Sequence, residues 1–364
     1  MIILTILGNL ILLVIAAVAA MFLLGPLWAW IYRIDERPEE IHFFTTRDGW
    51  TLALSRRKPA KPVKGREPVI LCHGLGANRF NFDFCDKYSM ARYLARNGID
   101  AWVLELRGVG RSARRKFFTP GRWNWTFDDF VRKDAPAAVE YVKAATGAKK
   151  VHWVGHSMGG MISYGLNQLD PNGNVKSAVS IAGPATFAHQ PAIKMLGRRW
   201  ITLRYIRFIP VRAFAWMAIP LIGNLNLYAT KVSYNIANME TRVVRQAMAS
   251  LAHPITARLT SQFVGWIGGS GDVVGQDGYG YTENLDKIKT PYLFIAGAKD
   301  YLASPDAMRV AYEGVSSKDK QFMLFSREQG YSFDYGHGDL LVGKEAPQEV
   351  FPAVKDWLLK HSAK

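Results

Sequence analysis

A serine set between glycines carries the sharpest chemistry in this chain. Gly155-His156-Ser157-Met158-Gly159 follows the apolar run Val151-His152-Trp153-Val154 and continues into Gly160. A G-x-S-x-G pentapeptide at a strand-to-helix turn makes a tight, strained bend that lifts the serine hydroxyl into the open. The two glycines let neighbouring backbone pass close to that bend. The same five residues in an arbitrary glycine-rich turn would do no chemistry. The strand before them and the helix after them select the nucleophile reading for Ser157.

Serine is a weak nucleophile until a base within hydrogen-bond reach takes its proton. Among eight histidines, His337 in Tyr335-Gly336-His337-Gly338-Asp339 is the one placed after the last expected strand and before the last helix. His73 and His156 belong to turns already in use, His189 and His253 fall in a long insertion, His42 precedes the core, and His361 is in the tail. Such a base needs a carboxylate that fixes its tautomer and stabilises the imidazolium. Asp300 stands directly after the apolar run Tyr292–Ala296, whereas Asp306 can cap the helix after Pro305, and Asp334 and Asp339 flank the histidine. We therefore expect Ser157, Asp300 and His337 to form a triad. A second turn, Cys72-His73-Gly74-Leu75-Gly76, ends another apolar run; the backbone N–H groups of Leu75 and Met158 are the expected oxyanion hole.

These residues need a frame. His42–Arg57 reads as a hairpin turning at Asp48-Gly49. Short apolar strands follow at Val69–Cys72, Ala101–Leu106, Val151–Gly155, Val175–Ala182, Tyr292–Ala296 and Phe322–Phe325. Helices are expected at Asp86–Asn97, Lys133–Ala145, from Met158, from Pro305, and over Val350–Leu359. Short buried strands between helices argue for an α/β fold with a mostly parallel sheet and helices on both faces. The rhythm breaks from Pro184 to Lys289. We expect residues 33–183 and 290–364 to form the catalytic core, with residues 184–289 inserted as a cap or lid.

Hydrophobic residues make up 49% of the 364-residue chain and charged residues 21%, which suits one packed catalytic domain with an insertion. The net charge of +16 raises nucleic acid as a partner, but no zinc-finger spacing, basic zipper or RNA-binding aromatic motif accompanies it. An anionic lipid surface is the acidic partner we expect instead. Residues 1–32 carry no charged side chain, and Ile2–Leu24 is long enough to cross a bilayer, ending in Trp28, Trp30 and Tyr32. A transmembrane anchor is expected there; a cleaved signal peptide, with export, is the alternative. The Lys and Arg residues that follow, from Arg33 to Arg66, place the catalytic domain on the cytoplasmic side by the positive-inside rule.

The insertion has no Asp or Glu up to Met239, yet holds Lys194, Arg198, Arg199, Arg204, Arg207, Arg212 and Lys231 among aromatic residues. That mixture suits either a lipid interface or a cap with apolar residues facing the site. Pro210 and Pro220 interrupt its apolar run, which argues against a second span. Cys72 and Cys85 lack the spacing of metal ligands, and no Gly-rich nucleotide loop occurs, so neither a metal nor a cofactor is expected.

Taken in order, these blocks resemble the gastric and lysosomal type of acid lipases within the α/β-hydrolase superfamily. The likeness runs through Trp125-Thr126-Phe127-Asp128-Asp129, Asp134-Ala135-Pro136-Ala137, the Ser157 turn, Gly297–Pro305 and His337-Gly338-Asp339, in the Ser, Asp, His order of that superfamily. The resemblance implies hydrolysis of carboxylic esters of lipids, with Ser157, Asp300 and His337 as triad and Leu75 and Met158 as oxyanion donors. It does not extend to residues 184–289, where substrate choice resides. Acyltransferases and polyester depolymerases use the same triad, and a non-catalytic membrane scaffold is the remaining class. The oligomeric state is not legible in the sequence.

Overall fold

The computed structural model describes residues 2–63, 65–113, 124–189, 208–223 and 228–363. A helix, α1 (Ile2–Tyr32), precedes a hairpin of β1 (Glu40–Thr45) and β2 (Thr51–Arg57). Then follow β3 (Val69–Cys72), α2 (Met90–Arg96), β4 (Ala101–Glu105), α3 (Ala135–Thr146), β5 (Val151–His156), α4 (Met158–Leu169) and β6 (Val175–Ile181). The insertion carries α5 (Val211–Ala218), α6 (Thr241–Ser250) and α7 (Ala257–Gly268), besides shorter turns. The chain closes with β7 (Tyr292–Gly297), α8 (Pro305–Gly314), β8 (Lys320–Phe325) and α9 (Ala346–His361).

All eight strands join one sheet in the order β1-β2-β4-β3-β5-β6-β7-β8. The pairs β1–β2 and β2–β4 are antiparallel, and every later pair is parallel. The α/β architecture read from the sequence is therefore the observed one. Every residue of β3, β4, β5 and β7 is buried, as strands covered on both faces must be. Strand order reverses at β3, since the chain steps to β4 on one side and to β5 on the other. A crevice opens at the carboxyl ends of strands where such a reversal occurs. Here those ends are His73-Gly74 and Ser157.

Helix boundaries differ from the sequence expectation in two informative places. Asp86–Asn97 is split: a 3-10 turn (Asp86–Tyr88) is followed by extended Ser89, whose Oγ accepts from the Arg92 N–H at 3.0 Å and starts α2 anew. The helix expected from Lys133 starts earlier, at Phe127, where Thr126 and Asp129 form a capping box. It passes through a π-turn (Phe130–Asp134) before α3. Pro136 in the first turn of α3 has no N–H to donate, and the turn ahead of it widens so that Ala135 N–H reaches the Phe130 carbonyl.

The insertion showed no rhythm in the sequence because its helices are short and separated by prolines and aromatic residues. Ile209 on one stretch pairs with Ile255 on another as a two-stranded ribbon. Between α5 and α6, Trp216 Nε1 donates to the Ala249 carbonyl at 3.1 Å, and Arg245 Nη2 of α6 donates to the carbonyl of Ile222, just beyond α5, at 2.8 Å. The apolar run between Pro210 and Pro220 is a short helix that does not approach spanning length. Lys194, Arg198, Arg199, Arg204 and Arg207 lie outside the described residues. By length and composition Ile11–Tyr32 is long and apolar enough to cross a membrane.

Candidate active site

Ser157 sits between β5 and α4 with φ 54° and ψ −120°, a region that a residue with a side chain enters only under strain. Its glycine neighbours are dictated by contact. A Cβ on Gly155 would lie 2.1 Å from the Gly159 carbonyl oxygen, and one on Gly159 2.1 Å from the Cys72 carbonyl oxygen. The turn is held by Ser157 N–H to the Ile181 carbonyl at 2.8 Å and Trp153 Nε1 to the Gly159 carbonyl at 3.1 Å.

His337 lies in the loop before α9 and is 9% exposed; Asp300 follows β7 and is 3% exposed. Nδ1 of His337 is 2.8 Å from Asp300 Oδ2. The other carboxylate oxygen accepts the N–H groups of Leu302 and Ala303, both at 2.8 Å. That arrangement turns the carboxylate to the ring. Nδ1 must carry the proton, which leaves Nε2 as the basic nitrogen.

Ser157 and His337 line one cavity of about 470 Å³. Leu75, Met161 and Leu302 supply apolar walls, and Phe187, Ile209, Val211, Tyr234, Leu251 and Phe263 of the segment 184–289 line the same cavity. The structure thus brings all three expected triad residues to one place. Leu75 is in the wall, in the turn made by Ala77 N–H to the Gly74 carbonyl. Met158 opens α4, and an N–H in the first turn of a helix has no partner within the helix.

Three residues outside the expected triad and oxyanion hole hold these parts together. His156 Nδ1 is 3.1 Å from Asn81 Oδ1, and its Nε2 is 3.1 Å from the His337 carbonyl oxygen. Asn81 Oδ1 also accepts the Gly74 N–H at 2.9 Å. Burial, with a smaller contribution from nearby His337, pushes the His156 ring down to about 3, so it is neutral and offers one N–H to two acceptors. Asp339 is the third. It accepts from Gly336 N–H, and from Asn235 N–H and Asn238 Nδ2 of the insertion at 3.0 and 3.1 Å. Gly338 N–H adds a bond to the Ser233 carbonyl at 2.8 Å. The loop bearing His337 is therefore clamped to the insertion. Asn81 belongs to no motif in the sequence and only its neighbours in space reveal it; Asp339 stood beside His337 in the sequence, but its partners in the insertion did not show there.

His73 has its own task. Its Nδ1 is 2.8 Å from the Gly74 carbonyl oxygen and its Nε2 takes the Leu106 N–H at 3.3 Å, while burial pushes it down to about 4. His42 and His361 have structural partners, Tyr141 with Glu40 and Asp319 respectively. Cys72 is buried, and burial pushes its thiol well up, so it behaves as a small apolar side chain. Among the described residues no group of three or more His, Cys, Asp or Glu side chains is placed to hold a metal ion.

Residues 67–326 match the model of the family described as the alpha/beta hydrolase fold. Human gastric triacylglycerol lipase is 25% identical over 356 residues, covering 86% of each chain. Mouse lipase member M is 24% identical, covering 86% of this chain and 81% of its own length. Among solved structures, a monoacylglycerol lipase from Paleococcus ferrophilus superposes with a TM-score of 0.57 at 19% identity, over 85% of this chain and 99% of its own. The likeness to acid lipases read from the motifs agrees with these matches.

Proposed function

Since the chain belongs to the α/β-hydrolase fold family and is a carboxylic-ester hydrolase of the lipase/esterase type, we propose that it cleaves lipid esters through an acyl-enzyme on Ser157. The observation that carries this reading is the Asp300–His337 pair meeting Ser157 on a cavity whose walls are mostly aliphatic and aromatic. An ester with a long acyl chain can bury that chain against such walls, at about 0.8 kcal/mol per methylene.

The steps follow from the geometry. Ser157 Oγ attacks the ester carbonyl carbon while His337 Nε2 takes the hydroxyl proton. Asp300 holds the imidazolium through Nδ1–H and does not itself become protonated. The carbonyl oxygen becomes an oxyanion that accepts the N–H groups of Leu75 and Met158. Collapse breaks the bond to the alkoxy oxygen, which leaves as the alcohol with the proton from His337. A water, deprotonated by the same nitrogen, then releases the carboxylic acid and regenerates Ser157.

We assign α1 as a retained membrane anchor. Support comes from its length, its exposed aliphatic surface and the packing of its last turns on the rest of the protein, where Ala29 is buried and Tyr32 accepts from Arg245 Nη1 at 2.9 Å. Arg33 and Arg37 after the helix support a cytoplasmic catalytic domain. Labelling with a fluorophosphonate in detergent, followed by a chain-length series of esters, tests the proposal. Covalent modification at Ser157 and a preference for longer acyl chains are expected. An unlabelled serine in folded protein would reject the nucleophile.

A further inference from the structure

The 31 residues of α1 make a helix of about 46 Å, against about 30 Å for a bilayer's hydrocarbon core. Roughly ten residues are in excess. Those at the carboxyl end, Gly25 to Tyr32, are the ones that meet the rest of the protein. A Cβ on Gly25 would stand 3.4 Å from the Trp216 Cβ of α5. One turn and more beyond, Tyr32 hydroxyl is bound by Arg245 of α6, and Ile34 N–H donates to Ser250 Oγ at 2.8 Å. The connection then locks onto the core through Glu36, which pairs with Arg92 and accepts from Arg79 through its carbonyl. The anchor is therefore built rigidly into the insertion and is not a loose tether.

That rigidity sets the depth of α5. Gly25 lies seven residues, about 10 Å, nearer the bilayer centre than Tyr32. The aromatic set Trp28, Trp30 and Tyr32, with Arg33 over the Trp30 ring, marks the membrane–water boundary between them. Helix α5 touches the anchor on the membrane side of that boundary. Its sequence, Val-Arg-Ala-Phe-Ala-Trp-Met-Ala, has one cation, and Phe214 is 58% exposed. The same helix begins at Val211 in the cavity wall, and α6 ends beside Leu251, also in the wall.

We propose that Val211–Leu221 is an interfacial membrane helix, seated in the leaflet that α1 leaves, and that the cavity takes its lipid ester from that leaflet. The occupant is the bilayer that holds the anchor; continuity with the spanning segment and the bare Phe214 argue for it. The inference rests on the anchoring and ester-hydrolase assignments and extends them to the source of the substrate. A helix of this kind lies about 5–10 Å into the boundary of headgroups and acyl chains.

The test uses the full chain in phosphatidylcholine vesicles containing phosphatidylglycerol. A nitroxide is attached at Phe214→Cys in a Cys85→Ser background, Cys72 being buried. Leu23→Cys serves as the lipid reference and Glu328→Cys as the water reference. Collisions with oxygen above those with a water-soluble nickel complex, as at position 23, are expected; a label behaving as at position 328 overturns the proposal. Activity gives the second arm. Phe214→Glu is expected to slow hydrolysis of a long-chain ester in the enzyme's own vesicles about tenfold, because a buried apolar contact is lost, while leaving a soluble short ester in detergent within about twofold. Intact enzyme should leave esters in enzyme-free vesicles untouched; equal consumption of both vesicle populations overturns delivery from the leaflet. Absence of turnover on both substrates would reject the hydrolase reading, and the label depth would still decide the position of α5.

Discussion

Nε2 of His156 lies 3.1 Å from the backbone carbonyl oxygen of His337, and the two rings are 4.7 Å apart between centroids. The residue before the candidate nucleophile thus steadies the candidate base. Through Asn81 it also reaches Gly74 in the turn that offers the Leu75 N–H. His156→Phe removes the single N–H that faces Asn81 Oδ1 or the His337 carbonyl, leaving one of these buried acceptors short of a donor. We expect kcat to fall by about tenfold to a hundredfold with KM little changed, matching about 1–3 kcal/mol for unsatisfied buried groups. His156→Gln should recover part of that loss. Steady-state kinetics on a soluble ester decide it, and a change confined to KM would argue against a positioning role.

Replacing Ser157 by Ala should abolish turnover, with a loss of about 10⁴–10⁶, while the unfolding midpoint changes little. His337→Ala should be nearly as damaging and Asp300→Asn somewhat less, because the three act as a unit. Wild-type rates in any of the three folded variants contradict the triad.

The glycines of the turn are the strictest positions. Gly159→Ala places a methyl 2.1 Å from the Cys72 carbonyl oxygen, where only backbone movement can make room. We expect at least about 3 kcal/mol of destabilisation, read from denaturant midpoints, since core overpacking of lesser severity already costs about 1–3. A variant that unfolds like the wild type would show that the turn has slack.

Acid should unfold this protein through histidines that the fold keeps neutral. Burial pushes His73 down to about 4 and both His152 and His156 down to about 3, against an ordinary value of 6.5. Between those limits the unfolded chain binds more protons than the folded one, so stability is full above pH 6.5 and declines as pH falls toward 3. His152 is the clean case, held between Ser177 Oγ at 2.9 Å and Ser362 Oγ at 3.0 Å, remote from the candidate triad in its contacts. His152→Gln should flatten the stability–pH slope near pH 5 by about 1.4 kcal/mol per pH unit. An unchanged slope in urea titrations would place the acid sensitivity elsewhere.

Truncation separates the two parts of the first helix. Removing residues 2–24 should release the protein from membranes and leave its thermal midpoint nearly unchanged. Removing residues 2–32 should also strip the cover from Trp216 and one of the partners of Arg245, lowering stability by about 1–3 kcal/mol. Equal midpoints for the two truncations would mean that Gly25–Tyr32 does not support the insertion.

The sequence alone determined the alternation of buried strands and helices, because a strand covered on both faces needs an unbroken apolar run, as in Val69–Cys72 and Tyr292–Ala296. It also determined the candidate nucleophile, because the G-x-S-x-G bend is a pattern local to five residues, although the neighbour that forbids a side chain at Gly159 is the distant Cys72 carbonyl. His337 and Asp300 were legible through their order along the chain and their places after strands. Helix starts at Met90 and Phe127 were not read correctly, since capping by Ser89 and Thr126 competes with apolar periodicity over the same few residues. What the tertiary structure decided is everything that depends on distance across the chain: Asn81 and His156 joining the Gly74 turn to the His337 loop, Asp339 binding Asn235 and Asn238 of the insertion, and Gly25 set against Trp216. Apart from Asn81 with Gly74, these contacts bridge separations of 75 to 191 residues, and no local pattern encodes which polar atom will face which once the sheet has closed.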